Sequence, residues 1–193
     1  MYELPTKLNI GGVDYDIRGQ GDFRVIISTF SVLEDTKLDK NERIMVALGM
    51  FYDGVDTIDD VNAIPDLEEA VRQMYWFFDA GRPEGGIAGK KLIDWDNDSA
   101  MICSAINQTA GKEIRELSYL HWWTFMGYYM AIGESTMTTV ISIRDKIAHG
   151  KKLEKWERQY RRENPQYFNW NSKTAEEQEA DNWVLSQWYE GDK

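Results

Sequence analysis

At 193 residues the chain has room for one core, or for one core with an extension. A hydrophobic fraction of 42% and an aromatic fraction of 13% exclude a chain disordered throughout. The formal net charge of −11 is uneven, with 10 Lys/Arg against 20 Asp/Glu in residues 1–100 and 12 against 13 in the remainder, and it argues against nucleic acid and anionic membrane as partners.

The single cysteine, Cys103, rules out an intrachain disulfide and disfavours a thiolate metal site. The opening residues, MYELPTKLNIGG, lack a basic stretch followed by an apolar one, so no secretory signal is expected. The longest aromatic run, Tyr119 to Ile132, falls short of the ~20 apolar residues of a spanning helix and is interrupted by His121 and Gly127.

Leu8-Asn9-Ile10 and Val13 to Ile17 flank Gly11-Gly12, the pattern of a β-hairpin, because a tight hairpin turn needs positive φ at both central residues. Its edge is a candidate assembly surface. Asp22 is placed to cap a first helix to about Leu33, with Ile26, Ile27, Phe30 and Leu33 inward, although the β-branched residues there also allow a strand. Asp39 with Glu42 forms a capping-box signature before Ile44, Met45, Leu48 and Phe51. The acidic run Asp53 to Asp60 does not have the ligand spacing of a calcium loop and reads as a surface loop.

Pro65 and an acidic first turn open a third helix, Asp66 to Ala80, with Val71, Met74, Tyr75 and Phe78 inward. Residues 81–91 are glycine-rich, but no strand precedes them and Leu92 follows Lys91 where a phosphate loop needs Ser or Thr, so a linker is expected. Asp94, Asp96 and Asp98 read as an acidic N-cap rather than a cation site, with Trp95 turned to the core. They precede a fourth helix, Ser99 to Thr109, which buries Met101, Ile102, Ala105 and Ile106 and stops at Gly111. A fifth helix is expected from Lys112 to Ile132, apolar nearly all round and so buried on several sides. His121 lies within it near Ser118 and Thr124, but nothing identifies an orienting group or an oxyanion site, and a structural histidine is expected.

A sixth helix runs from Thr136 to Lys146, with Met137, Val140, Ile141 and Ile143 inward. From Arg144 to Glu163 there are 8 Lys/Arg against 4 Asp/Glu, a local basic excess with interleaved aromatics that could hold RNA or DNA but is more often a solvated helix face or a strip that meets the acidic half of a neighbouring subunit. Leu153, Trp156 and Tyr160 share its apolar edge. The tail adds a capping box, Thr174 with Glu177, before Trp183, Val184, Trp188 and Tyr189. Candidate partner-binding residues are therefore Trp156, Tyr160, Arg158, Arg161, Arg162, Trp183 and Trp188.

The block from Trp95-Asp96-Asn97-Asp98 through Leu120-His121-Trp122-Trp123 to Ile141-Ser142-Ile143-Arg144 resembles the phage gene-product-fifteen family, tail-region proteins of long-tailed phages of Gram-positive bacteria. The resemblance runs from the hairpin to about Asn164, and its motif residues are Trp95, Asp96, Leu120, His121, Trp122, Trp123, Ile141 and Arg144. It implies a tail assembly chaperone, without enzymatic activity, cofactor or metal, that coats the tape-measure protein and helps recruit tail-tube subunits in the host cytoplasm. A structural tail or tail-junction component is the alternative, and homo-oligomers are expected. The fold expected is mainly α, a bundle of about six to eight helices: hairpin 1–21, helical core 22–150 and charged C-terminal helices 151–193.

Overall fold

A computed structural model describes residues 3–82 and 91–168. The chain is mainly helical, with an N-terminal two-stranded antiparallel hairpin and eight α-helices among the described residues. The strands are β1 (Lys7–Ile10) and β2 (Val13–Asp16). The helices are α1 (Phe23–Leu33), α2 (Lys40–Phe51), α3 (Ile58–Asn62), α4 (Leu67–Phe78), α5 (Ser99–Ala110), α6 (Trp122–Met130), α7 (Thr136–Ala148) and α8 (Lys155–Glu163). Two compact units divide the described residues: 3–82 with 118–126, and 91–117 with 127–168. The glycine-rich segment 83–90 and the expected terminal helix with Trp183, Val184, Trp188 and Tyr189 lie outside the described residues.

In the first unit the hairpin turns through Gly11 and Gly12, both at positive φ, and pairs Leu8 with Tyr15 and Ile10 with Val13. Leu8 and Ile10 are buried, while β2 is largely exposed. Part of its outer edge is taken up after α2, where Asp53 N–H donates to the Asp16 carbonyl at 2.8 Å and Ile17 bridges Tyr52.

The competition between helix and strand at residues 23–30 goes to the helix. Asp22 accepts the Arg24 backbone N–H at 3.0 Å, which satisfies one orphan donor of the first turn. Asp39 and Glu42 make the expected capping box on α2. Its inward face differs slightly from expectation, since Met45 is only half-buried while Ala47 reaches the core. The acidic run expected as a loop contains α3, because Thr57 and Asp60 cap each other's backbone N–H groups. A capping box so close to Ile58 and Val61 is enough to close one short helix.

The expected helix from Lys112 to Ile132 does not form as one piece. A 3-10 turn occupies Ile114–Glu116, Leu117 is extended, and α6 begins only at Trp122. The reason is tertiary. Leu120 N–H donates to the Asp22 carboxylate at 2.9 Å, the Leu120 carbonyl accepts from Phe23 at 3.0 Å, and His121 bridges Asp22 in antiparallel register. Those backbone groups cannot also serve a helix. Nor is the stretch buried all round: Tyr119 and Met130 are exposed.

Residues 118–126 close an aromatic core in this unit. Phe125 stacks on Phe23 at 4.8 Å and on Trp122 at 5.3 Å, and Phe30 meets Phe78 at 4.7 Å. Burying Leu120, Trp122 and Phe125 contributes about 2 kcal/mol each. In the second unit α5 packs on α7; α5 buries Met101, Ile102, Ala105 and Ile106, and α7 buries Met137, Val140 and Ile143. Gly111 ends α5 in the left-handed conformation.

Gly21 shows how tightly the first unit closes. Its φ is +77°, and a Cβ there would stand 2.7 Å from Phe77 Cζ and 3.1 Å from His121 Nε2. Gly21→Ala is expected to cost about 2–4 kcal/mol, backbone strain adding to overpacking. Urea melts of the full chain followed by tryptophan fluorescence give the value, and a loss below 1 kcal/mol would contradict this packing.

Candidate functional site

The motif residues fall into two groups, each inside one unit. In the first, His121 is buried between backbone groups: Nε2 lies 3.0 Å from the Pro5 carbonyl and Nδ1 accepts the Trp123 N–H at 3.1 Å. These partners fix the neutral tautomer with its proton on Nε2. Both nitrogens are engaged with the main chain, so His121 positions structure. Burial lowers its pKa, against an upward pull from the Pro5 carbonyl.

Trp122 and Trp123 lie about 100° apart on a helix, yet both indoles reach the end of α4. Trp122 Nε1–H donates to the Phe78 carbonyl at 2.8 Å, and Trp123 Nε1–H donates to the Phe77 carbonyl at 2.9 Å. Carbonyls in a helix's last turn have no partner within the helix, and here two successive ones are capped by two successive tryptophans. Gly81 fits under Trp123, since a Cβ there would come within 2.7 Å of its ring.

In the second unit Arg144 is the centre. It is 4% exposed, and its guanidinium holds both Asp98 oxygens at 2.5 and 2.9 Å. It also donates to the Leu92 carbonyl at 2.9 Å and to the Tyr167 carbonyl. One planar fork thereby joins α7, the start of α5, the segment before it and the turn after α8. This corrects the reading of Asp98 as a simple N-cap: it sits at the N-cap position of α5 without bonding the helix N–H groups, because both oxygens face Arg144. Asp94 forms the turn instead, accepting from Asp96 N–H at 3.1 Å and Asn97 N–H at 2.8 Å. Trp95 is half-buried beside Tyr129, Asp96 is exposed, and Ile141 is half-buried. Among the described residues no three His, Cys, Asp or Glu side chains converge as metal ligands would.

The candidate contact residues on α8 lie on its solvent side. Arg158, Arg161 and Arg162 are exposed, Trp156 is 56% exposed, and Tyr160 is half-buried with its ring on Phe168 at 6.4 Å. The residue that α8 buries is Glu157, which the spacing of Leu153, Trp156 and Tyr160 did not indicate. Lys146 Nζ holds it at 2.6 Å and Glu154 N–H donates at 2.7 Å, and both lower its pKa. This pairing sets the rotation of α8 and leaves Trp156 outward. No helix among the described residues is long and apolar enough to cross a membrane.

The first unit also carries a groove that the sequence did not suggest, formed by α1, α2 and α3 with a volume of about 650 Å3. Val25, Met45, Val46, Met50, Ile58 and Val61 supply its apolar lining, and Val46 and Ile58 are exposed. Arg18 forms part of its wall, donating to the Gly49 carbonyl at 3.1 Å, the Tyr52 carbonyl at 3.2 Å and Asp56 at 2.7 Å. The one signal for it in the sequence is Ile58, an apolar residue set among Asp56, Asp59 and Asp60.

The profile of the family described as Bacteriophage Gp15 protein matches residues 1–169. The chain belongs to that family. No curated protein and no solved structure matches it. The match spans both motif groups, the groove and α8.

Two outcomes follow from the buried polar groups. Arg144→Met is expected to cost about 3–5 kcal/mol, because Asp98 becomes a buried carboxylate without a counter-charge. Adding Asp98→Leu should recover part of that loss, the Leu92 and Tyr167 carbonyls remaining short of donors; thermal melts of the single and double variants measure the coupling. For His121, the folded state binds the proton less readily than the unfolded state. Its contribution is thus complete above the ordinary imidazole range and is lost as pH falls below that range toward the lowered pKa. Denaturant midpoints across mildly acidic pH should fall more steeply for the native chain than for His121→Gln.

Proposed function

We propose that this protein is a non-enzymatic phage tail assembly chaperone, which binds the tape-measure protein in the host cytoplasm, keeps it soluble and helps recruit tail-tube subunits. The observation that carries this reading is family membership over residues 1–169. The surface is consistent with it. Val13, Tyr119, Met130 and Ile147 are exposed on a chain of net charge −11. Exposed apolar side chains can cover apolar helices of a client, and a high net charge keeps the resulting complex soluble. The buried motif residues act at one remove, by fixing the surface on which such contacts are made.

A structural component of the tail or tail junction follows from the same family membership. Co-expression with the cognate tape-measure protein distinguishes usefully between outcomes: a chaperone raises the client's soluble fraction and co-purifies with it. Unchanged solubility with no co-purification would reject the chaperone reading. Mass spectrometry of mature particles should then find no stoichiometric copy of this chain, whereas a fixed copy number would select the structural reading.

A further inference from the structure

The groove between α1, α2 and α3 lies wholly within the first unit, and the polar side chains of its wall already have partners. Arg18 donates to the Gly49 and Tyr52 carbonyls and to Asp56 at 2.7 Å, with Asp53 at 3.6 Å. Arg24 holds Asp22 at 3.0 Å, Ser28 Oγ donates to the Arg24 carbonyl at 2.9 Å, and Thr57 Oγ1 donates to Asp60 at 2.7 Å. Arg18 Nε has no acceptor, but it is buried and closed to solvent. The groove therefore asks a partner for neither an ion nor a hydrogen bond. What it offers is apolar: Val25, Met45, Val46, Met50, Ile58 and Val61, with Val46 43% and Ile58 57% exposed.

The lining comes mainly from helices, whose main-chain groups are spent internally. An extended segment would bury its own N–H and C=O groups there without partners, whereas a helix arrives with its backbone satisfied. The volume of about 650 Å3 is roughly four times the ~150 Å3 that encloses one benzene, so the groove accepts a ridge of several side chains. Met45 and Met50 adapt to varied shapes and set no strict sequence requirement. No described helix of this chain offers such a ridge. The exposed large apolar side chains on helices are Val46 on α2, Ile58 on α3, Met130 on α6, Ile147 on α7 and Trp156 on α8, one to each. The described part of a second copy therefore does not supply the occupant.

We infer that the groove receives the apolar ridge of an α-helix from a different protein, with anchors at i, i+3 or i+4, and i+7 set against Val46, Met50 and Ile58. Recognition is by apolar area and shape, with no ion pair formed, and this lets one groove take many different apolar helices. That the helix belongs to the tape-measure protein rests on the chaperone reading; that the groove takes an apolar helix does not.

Fluorescence anisotropy of the full chain with a labelled peptide of leucine and glutamine, leucine recurring at i, i+3, i+4 and i+7, measures the contact directly. Saturable binding that changes little between low and high salt is expected, because no ion pair forms. A peptide of the same composition with leucine at alternate positions should bind weakly. Ile58→Asp should weaken binding about tenfold or more, since a carboxylate in an apolar contact loses its water without gaining a partner. Trp156→Asp on α8 should leave it unchanged. Val46→Asp takes the place of Ile58→Asp if circular dichroism shows that variant misfolded. Absence of binding, equal binding by the groove variants or of the alternating peptide, or a steep loss with salt would each overturn the inference. So would tighter binding by the double variant Trp183→Asp with Trp188→Asp, which would make residues 169–193 the occupant, or self-association of the native chain that Ile58→Asp abolishes. In co-expression, an Ile58→Asp chain that solubilises the tape-measure protein as well as the native chain does would overturn the groove's role and leave the chaperone reading intact. A native chain that fails to solubilise it would reject that reading, while the peptide still decides the groove.

Discussion

The first unit depends on a segment that reaches it late in the chain. Residues 3–82 supply the hairpin and four helices, but the Asp22 carboxylate, the Pro5 carbonyl and the last carbonyls of α4 are satisfied by Leu120, His121, Trp122 and Trp123. Phe125 then fills the space against Phe23. Without that segment the unit would expose apolar rings, and the Pro5 and Phe78 carbonyls would lose the donors it brings, although Asp22 keeps Arg24 and the Phe77 carbonyl keeps the Ala80 N–H; a buried group left unpaired costs about 1–3 kcal/mol. The motif from Leu120 to Trp123 is thus a closing element, and its chemistry is that of hydrogen-bond completion.

The second unit is organised around buried charge. Arg144 binds Asp98 and two backbone carbonyls, and Glu157 binds Lys146. Replacing such pairs by apolar side chains of similar volume is often neutral, so their net contribution to stability is small. What they supply is geometry: the Arg144 fork requires one arrangement of α5, α7 and the turn after α8, and Glu157 sets which side of α8 faces outward. The outward face is then defined by a buried salt bridge.

Much of the local structure is legible in the sequence because it is encoded locally. Gly11-Gly12, the caps Asp22 and Asp39 with Glu42, and the stop at Gly111 all act within a few residues of where they stand. The misread elements are those decided by distant partners. The stretch from Lys112 to Ile132 has helical periodicity, but Asp22, about 98 positions away from Leu120, draws its middle into an extended pairing. On α8 the apolar spacing pointed to Trp156, whereas Lys146 on α7 selected Glu157 for burial. The groove escaped notice because its lining comes from three helices, and α3 was concealed in an acidic run that resembled a loop.

The interleaved path of the chain also bears on the order in which the protein is made. Translation delivers the hairpin and α1 to α4 first, then α5, and only afterwards the residues that finish the first unit. Domains usually fold as units during synthesis. Here the earliest unit cannot become native until residue 126 has left the ribosome, by which time part of the second unit has already emerged. The two therefore mature together, and a nascent chain halted before Leu120 would present the open ends of α4 and an unfilled aromatic core to the cell's own quality control.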